Sequence, residues 1–164
     1  MTSPAIIALA KNVLAEARRR NLRIVTAESC TGGLVAAALT EIPGSSDVFE
    51  RGFVTYSNDA KNSDLGVSTQ LIAQHGAVSE ETARAMAEGA LSHSRAEVSV
   101  SITGIAGPGG GSDLKPVGLV HFAAARKGHP TLSRKQLFGD IGRPQIRYAS
   151  TEVALTMLLR LVAD

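Results

Sequence analysis

The sequence is poor in the residues that metal sites and nucleic-acid surfaces use. It has one cysteine, no tryptophan and only 4% aromatic residues in 164 positions. One cysteine cannot form an internal disulfide, and the four histidines show no metal-ligand spacing, so we predict no metal and no cofactor. Few aromatics, a net charge of +2 and a single basic run, Arg18 to Arg20, leave little for nucleic-acid binding.

Long apolar runs and a secretion leader are also missing. No apolar stretch approaches the roughly 20 residues that span a bilayer. The N-terminus has no basic segment followed by an apolar core and a cleavage site. We therefore predict a cytoplasmic protein with no membrane partner, folded as one domain over residues 1–164.

Helical and strand patterns alternate along the chain. Ser3 and Pro4 open a helix to about Arg20, Ser79 opens another, and Pro144 opens the last, whose inward residues are predicted as Ile146, Ala149, Val153, Met157 and Leu161. Short helices are predicted after Ser57 and Ser68. The strand candidates are "LRIVT", "FERGFVTYS", "EVSVSITG", "VGLVHFAAA" and "LSRKQLFGD". This interleaving predicts an α/β class with helices on both faces of the sheet.

The first stretch whose residues can take part in catalysis or binding is "TAESCTGG", residues 26–33, where a strand gives way to a helix. Ser29 or Cys30 can act as a nucleophile there, and Gly32 and Gly33 allow the backbone to approach a ligand. Amides at the helix start, from Thr31 to Gly33, can stabilise an oxyanion. Helix starts also lower thiol pKa, so physical reasoning does not separate Ser29 from Cys30. The alternative is an ordinary helix cap beside a buried cysteine.

The second stretch is "YSNDAK", residues 56–61. A serine needs a base to become nucleophilic, and a desolvated Lys61 can serve, with Tyr56 orienting or relaying the proton. Both side chains are expected to point at Ser29. The alternative is a solvated Lys61 paired with Asp64. Glu28 is interpreted as a salt-bridge partner in preference to a base.

The third stretch is the glycine loop, residues 103–116, "TGIAGPGGGSDLKP". Its successive amides form an anion nest to which Lys115 can add charge, although no P-loop pattern is present. Arg143 and Arg147 flank the start of the last helix, where cations are locally unfavourable, and this indicates an anionic ligand. The alternatives are a flexible surface loop and salt bridges to Asp140 or Glu152.

Five ordered motifs, from about Leu22 to the last helix, resemble the C-terminal domain family of the competence/damage-inducible protein CinA. They are "TAESCTGG", "GFVTYSNDAK", "HGAVSEE", "SITGIAGPGGG" with "KPVGLV", and "GDIGRPQIR". Within that family, the chain is similar to the stand-alone bacterial amidohydrolases of nicotinamide mononucleotide. The resemblance implies a three-layer α/β/α sandwich with a mixed, mostly parallel sheet, and association into homo-oligomers.

The resemblance also implies an activity and a set of site residues. The activity is hydrolysis of the carboxamide of nicotinamide mononucleotide to nicotinic acid mononucleotide and ammonia, in pyridine-nucleotide salvage, without a metal. Ser29, Lys61 and Tyr56 are the predicted catalytic residues. The predicted substrate-binding residues are Cys30, Thr31, Gly32, Gly33, Thr103, Gly104, Gly107 and Arg143, with Arg147 as a rival for Arg143. A non-catalytic nucleotide-binding module and an amidase for another small amide are the alternative functions.

Overall fold

The computed structural model describes residues 2–164 and forms a five-stranded sheet with helices on both faces. The strands are β1 (Ile24–Glu28), β2 (Phe49–Val54), β3 (Val98–Gly104), β4 (Leu119–Arg126) and β5 (Leu132–Leu137). The helices are α1 (Pro4–Arg19), α2 (Leu34–Thr40), α3 (Asn58–Leu65), α4 (Thr69–His75), α5 (Glu80–Ser92) and α6 (Arg143–Ala163), and a short 3-10 turn covers Ser45–Asp47.

The sheet order is β2-β1-β3-β4-β5, and the predicted mixed sheet is confirmed. β1 lies parallel to both β2 and β3, whereas β4 is antiparallel to β3 and to β5. Four of the five strands run in one direction and only β4 runs in the other. Two of the four neighbouring strand pairs are therefore parallel and two are antiparallel. The carboxyl ends of β1, β2 and β3 therefore meet at one edge of the sheet.

Strand β3 shows how the two faces are built. Val98, Val100 and Ile102 belong to the apolar core shared with α1, α2 and α6. The alternate residues are polar but buried, because they face α5. Ser99 Oγ donates to the carbonyl of Ala87 over 2.7 Å, and Ser101 bonds the next turn of α5. Short hydroxyl side chains thus satisfy their hydrogen bonds on the helix and allow it to pack closely.

Helix starts agree with the predicted caps. The hydroxyls of Ser3, Ser57, Ser68 and Ser79 each accept a hydrogen bond from the amide three residues ahead. The predicted inward face of α6 is only partly right, since Ala149 and Val153 are half-buried. Its buried face is wider, because α6 packs on α1 as well as on β3 and β4, and includes Ile146, Ser150, Thr151, Ala154, Leu155, Met157, Leu158, Leu161 and Val162.

Within residues 2–164, none of the helices combines the length and the apolarity that crossing a bilayer requires.

Candidate active site

The three stretches singled out in the sequence converge on one cleft. Each lies at the carboxyl end of a strand in the parallel part of the sheet: "TAESCTGG" at the end of β1, "YSNDAK" just after β2 and the glycine loop at the end of β3. The cleft has a volume of about 290 Å³. Its lining residues are Ser29, Cys30, Tyr56, Asn58, Lys61, Ala77, Val78, Thr103, Gly104, Ile105, Ala106, Gly107, Gly109, Gly110 and Arg143.

Lys61 and Ser29 are in direct contact at the floor of this cleft. The Lys61 amine lies 3.0 Å from Ser29 Oγ and donates to the carbonyl of Thr55 over 2.8 Å. The side chain is only 1% exposed, and this burial lowers the pKa of Lys61 from its ordinary value. A larger fraction of the amine is therefore neutral and able to accept a proton. The alternative pairing with Asp64 is wrong, because the lysine points inward from α3.

Glu28 is buried directly before Ser29, and its carboxylate binds backbone amides. One oxygen accepts from Gly33 and Val35 over 3.2 and 3.0 Å, and the other accepts from Ala36 over 3.0 Å. The interpretation as a salt-bridge partner is wrong. The unpaired amides at the start of α2 attract the carboxylate in place of a cation.

The amides of Gly32 and Gly33 are not available to an oxyanion. Gly32 donates to the carbonyl of Ser29 over 3.0 Å, while Gly33 donates to Glu28. Both glycines have positive φ values, 58° and 104°, which carry the chain around a tight turn. Within residues 2–164, the amides of Cys30 and Thr31 have no acceptor in another residue. Of the predicted donors at residues 31–33, only the Thr31 amide is free in the described chain, and the Cys30 amide before them is free as well.

The same turn explains why Thr31, Gly32 and Gly33 do not line the cleft. Their predicted role in substrate binding is not supported by their position. The chain bends away from the cleft at Thr31 to enter α2, whose start is held by Glu28. Cys30, Thr103, Gly104, Gly107 and Arg143, the other predicted binding residues, do line it.

Cys30 lies in the cleft wall but is a poor thiolate. It is 6% exposed, and burial raises the pKa of its thiol from 9.0 to about 12, with the charge of Glu28 adding to the rise. The expectation that a helix start lowers this pKa is wrong, because burial outweighs any such effect and Glu28 also occupies the amides at that start.

Tyr56 and Arg143 lie on opposite sides of the cleft mouth and contact each other. Arg143 donates through one Nη atom to the Tyr56 hydroxyl over 2.9 Å and through the other to the carbonyl of Gly107 over 2.8 Å. Tyr56 is 61% exposed, and its hydroxyl contacts Arg143 and not Ser29, which differs from the expected orientation. It precedes the Ser57 cap and stays outside α3, whereas Lys61 lies on the buried face of that helix.

The remaining basic residues do not face the ligand space. Arg147 donates to the carbonyls of Cys30 and Thr31, each over 3.1 Å. Arg143, and not Arg147, is therefore the arginine of the cleft. Neither forms the alternative salt bridge with Asp140 or Glu152 within the described residues.

Lys115 also departs from its expected role. Its amine donates to the carbonyls of His75 and Val78, both over 2.8 Å, so it anchors the glycine loop and does not add charge to the nest. Thr103 likewise donates to the carbonyl of Ala77 over 2.7 Å. The glycine-loop amides at Ala106, Gly107, Gly109 and Gly110 have no acceptor within residues 2–164, so they can bind an anion.

Several lining residues were missed by the sequence reasoning. Asn58 stands within the "YSNDAK" stretch, beside Tyr56, and Ala77 and Val78 come from "HGAVSEE". Their stretches carried a signal, but only the fold shows that these members reach the cleft.

Known proteins agree with this architecture. The family model of the CinA C-terminal domain matches residues 6–162 of this chain. The chain belongs to the CinA C-terminal domain family. A crystal structure of the competence/damage inducible protein CihA from Agrobacterium tumefaciens superposes with a TM-score of 0.97, at 52% identity and with 98% of each chain covered. The α/β fold with helices on both sheet faces is thereby established.

Curated relatives fall into two sizes. The nicotinamide-nucleotide amidohydrolase PncC of Escherichia coli K12 is 49% identical over 159 residues, covering 96% of this chain and 95% of the relative. The putative competence-damage inducible protein of Caldicellulosiruptor bescii is 48% identical over 145 residues, or 88% of this chain. This chain spans about a third of that longer relative, 35% of its length.

The pKa of Cys30 gives a direct prediction for its reactivity. At pH 8, the rise from 9.0 to about 12 lowers the thiolate fraction about 1,000-fold. We expect iodoacetamide to alkylate Cys30 at least about 100-fold more slowly in the folded protein than in the same chain unfolded in urea. Mass spectrometry of the modified fraction over time measures both rates, and equal rates would contradict the assigned environment.

Proposed function

We propose that this protein hydrolyses the carboxamide of nicotinamide mononucleotide to nicotinic acid mononucleotide and ammonia. The observation that carries the proposal is the 3.0 Å contact between the buried Lys61 amine and Ser29 Oγ, at the floor of an open cleft. A nucleophile and its base are thus in hydrogen-bond range. The substrate class comes from the amidohydrolase relative that matches nearly end to end.

The reaction proceeds in two halves at Ser29. Neutral Lys61 takes the hydroxyl proton as Ser29 Oγ attacks the amide carbon, and the Cys30 amide stabilises the oxyanion. Collapse of the tetrahedral intermediate breaks the C–N bond, and Lys61 returns the proton to the leaving nitrogen, which departs as ammonia. Water then attacks the acyl-enzyme, again with Lys61 as base, and releases the carboxylate product and free Ser29.

Ser29 is the proposed nucleophile in preference to Cys30. Both line the cleft, but the thiol is held protonated by burial, whereas the serine contacts the base. The Arg143 guanidinium donates to the Tyr56 hydroxyl in this structure. When an anionic group of the substrate binds Arg143 instead, the released Tyr56 hydroxyl is proposed to take part in proton transfer. The substrate phosphate is proposed to bind Arg143 and the glycine-loop amides.

The wider setting follows from the same proposal. We place the reaction in pyridine-nucleotide salvage in the cytoplasm, carried out by a homo-oligomer without a metal or cofactor. The amidohydrolase name of the E. coli relative supports the reaction itself, and the pathway, the cytoplasm and the homo-oligomer are proposed from the family resemblance.

Ammonia release tests the reaction and its two principal groups. We expect the purified protein to release ammonia from nicotinamide mononucleotide in the presence of a chelator. Ser29→Ala and Lys61→Ala should each lower kcat by at least about 1,000-fold, because such groups act as a unit. A coupled ammonia assay measures the rates, and melting temperatures verify folding.

Ser63→Ala is the matched control, since this exposed serine lies in the same helix as Lys61 and outside the cleft. If the parent protein bound the nucleotide but released no ammonia, the nucleotide-binding module would replace the amidohydrolase.

The pH dependence of kcat/KM should follow the protonation of Lys61. The amine is an effective base only above its pKa, and burial lowers that pKa below the ordinary 10.5. Activity should therefore rise with pH along a limb centred below 10.5 and fall as pH drops through the lowered pKa. Initial rates at subsaturating substrate measure this limb.

Lys61→Arg should be inactive throughout, because a guanidinium is not deprotonated in this range. Lys11→Arg, on an exposed face of α1, should keep the parent profile. A slow Lys61→Arg enzyme with the same limb would assign the base to another group.

Arg143 should provide selectivity for the phosphate. We expect Arg143→Ala to raise KM for the mononucleotide about 10-fold to 100-fold, since a charge-assisted hydrogen bond contributes about 1.5–3 kcal/mol. Hydrolysis of the dephosphorylated riboside should change little. Steady-state kinetics on both substrates, with Arg134→Ala on β5 as control, measure the difference. Equal losses on both substrates would indicate an amidase that does not read the phosphate.

A further inference from the structure

We propose that Arg147 is a positioning residue, which aligns and polarises the Cys30 amide as the oxyanion donor. The inference deepens the proposed function and rests on its acyl-transfer step at Ser29. It concerns a residue that does not line the cleft and cannot touch the substrate in this arrangement.

The Arg147 guanidinium hydrogen-bonds to the backbone of residues 29–33, the nucleophile turn. Its Nε donates to the carbonyl of Cys30 and its Nη2 to the carbonyl of Thr31, each over 3.1 Å. No carboxylate within residues 2–164 forms a salt bridge with it. The positive charge is therefore applied to two consecutive peptide groups.

From Thr31, a chain of two rigid peptide groups leads to the proposed oxyanion donor. In a trans peptide, the carbonyl and the following amide point in opposite directions. The group that joins Thr31 to Gly32 accepts from Arg147 at its oxygen and donates from Gly32 to the carbonyl of Ser29 over 3.0 Å. The group that joins Ser29 to Cys30 then presents the Cys30 amide, which has no acceptor in another residue of the described chain.

Polarisation along this chain favours an oxyanion at its end. A guanidinium at the first carbonyl makes the next amide a stronger donor, and hydrogen bonds in series strengthen one another. The final donor is the amide of the residue after Ser29, and Cys30 lines the cleft. Arg147 thus reaches the reacting carbonyl through hydrogen bonds, without direct contact.

Two local features show that this geometry is specific. Arg147 is the fifth residue of α6, where a cation opposes the helix dipole, so its position is unfavourable unless the carbonyl contacts compensate. Gly32, at φ 58°, leaves just enough space for the guanidinium, since a Cβ there would lie 3.3 Å from Nη2.

The test compares the parent with Arg147→Met, Arg147→Lys and Gly32→Ala. Arg147→Met should lower kcat for nicotinamide mononucleotide about 10-fold to 100-fold, approaching the loss of a whole oxyanion donor. KM and the Kd of the product should stay within about 3-fold, because neither depends on a developing oxyanion. Arg147→Lys should lie between, since an ammonium lacks the planar fork that spans both carbonyls.

Gly32→Ala disturbs the same contact from the other side and should also lower kcat. Arg160→Met, in the last turn of the same helix, is the matched control and should leave kcat unchanged. Melting temperatures are measured for all variants. A parallel rise in KM and product Kd, or an unchanged kcat in Arg147→Met, would overturn the positioning role.

A second readout separates this inference from the proposed substrate. A fluorophosphonate probe reacts with an activated serine: Ser29 Oγ bonds to phosphorus, fluoride leaves, and the serine proton passes to Lys61. The inference would be supported if the probe labelled the parent, labelled Arg147→Met at least 10-fold more slowly, and did not label Ser29→Ala. This would hold even if nicotinamide mononucleotide were not hydrolysed. Labelling at an unchanged rate in Arg147→Met would overturn it even if that substrate were hydrolysed. A parent that neither hydrolyses nor labels would overturn both proposals.

Discussion

The site depends on burying an amine without a carboxylate beside it. Lys61 is almost wholly excluded from solvent, and its two partners, Ser29 Oγ and the carbonyl of Thr55, are both neutral. Desolvation disfavours the charged form, and no anion compensates by hydrogen bonding to it. The cost of this burial is borne by the fold, because α3 packs on α5 and inserts Leu65 into the core beyond Lys61. A stable helix thus holds a side chain that would otherwise move into water.

The second condition is that Glu28, also buried, is kept away from that amine. Its carboxylate is satisfied by the amides of Gly33, Val35 and Ala36, so its charge is held on the α2 side of the turn. Had it paired with Lys61, the ammonium would be stabilised and the amine would be less able to accept a proton. The same contacts remove from Cys30 the amides that lower thiol pKa at helix starts. Held there, the carboxylate does not hydrogen-bond the Lys61 ammonium, and its charge adds to the burial that keeps Cys30 protonated, which is consistent with Ser29 as the proposed nucleophile.

Local chemistry in the sequence predicted much of the fold. Ser57 and Ser79 mark helix starts because a hydroxyl satisfies an amide three residues ahead, and such signals need no tertiary context. The convergence of three loops was also predictable, since the carboxyl ends of parallel strands share an edge. The inward position of Lys61 was predictable, because this residue lies in the first helical turn after a strand end. The orientation of Tyr56 was not predictable, because its partner Arg143 lies 87 residues away.

The remaining differences have the same origin. Lys115 was expected in the anion nest, yet its amine donates to a carbonyl at the end of α4 and to another in the loop before α5, 40 and 37 residues earlier. Gly32 and Gly33 were expected to offer free amides, but the turn that their positive φ values permit consumes both. Composition indicates which groups can bond, and only the three-dimensional arrangement indicates which are already bonded.

Helix α6 connects the two halves of the site. Arg143 and Arg147 are four residues apart and so lie on one helical face, one turn from each other. The first contacts the glycine loop and Tyr56, and the second contacts the nucleophile turn. Because α6 is anchored on α1, β3 and β4, the spacing between these contacts is set by a rigid helix and not by a loop. The rigid helix therefore fixes the position of Arg143 relative to the nucleophile turn, as the proposed binding of one molecule with an anionic group and a reactive carbonyl requires.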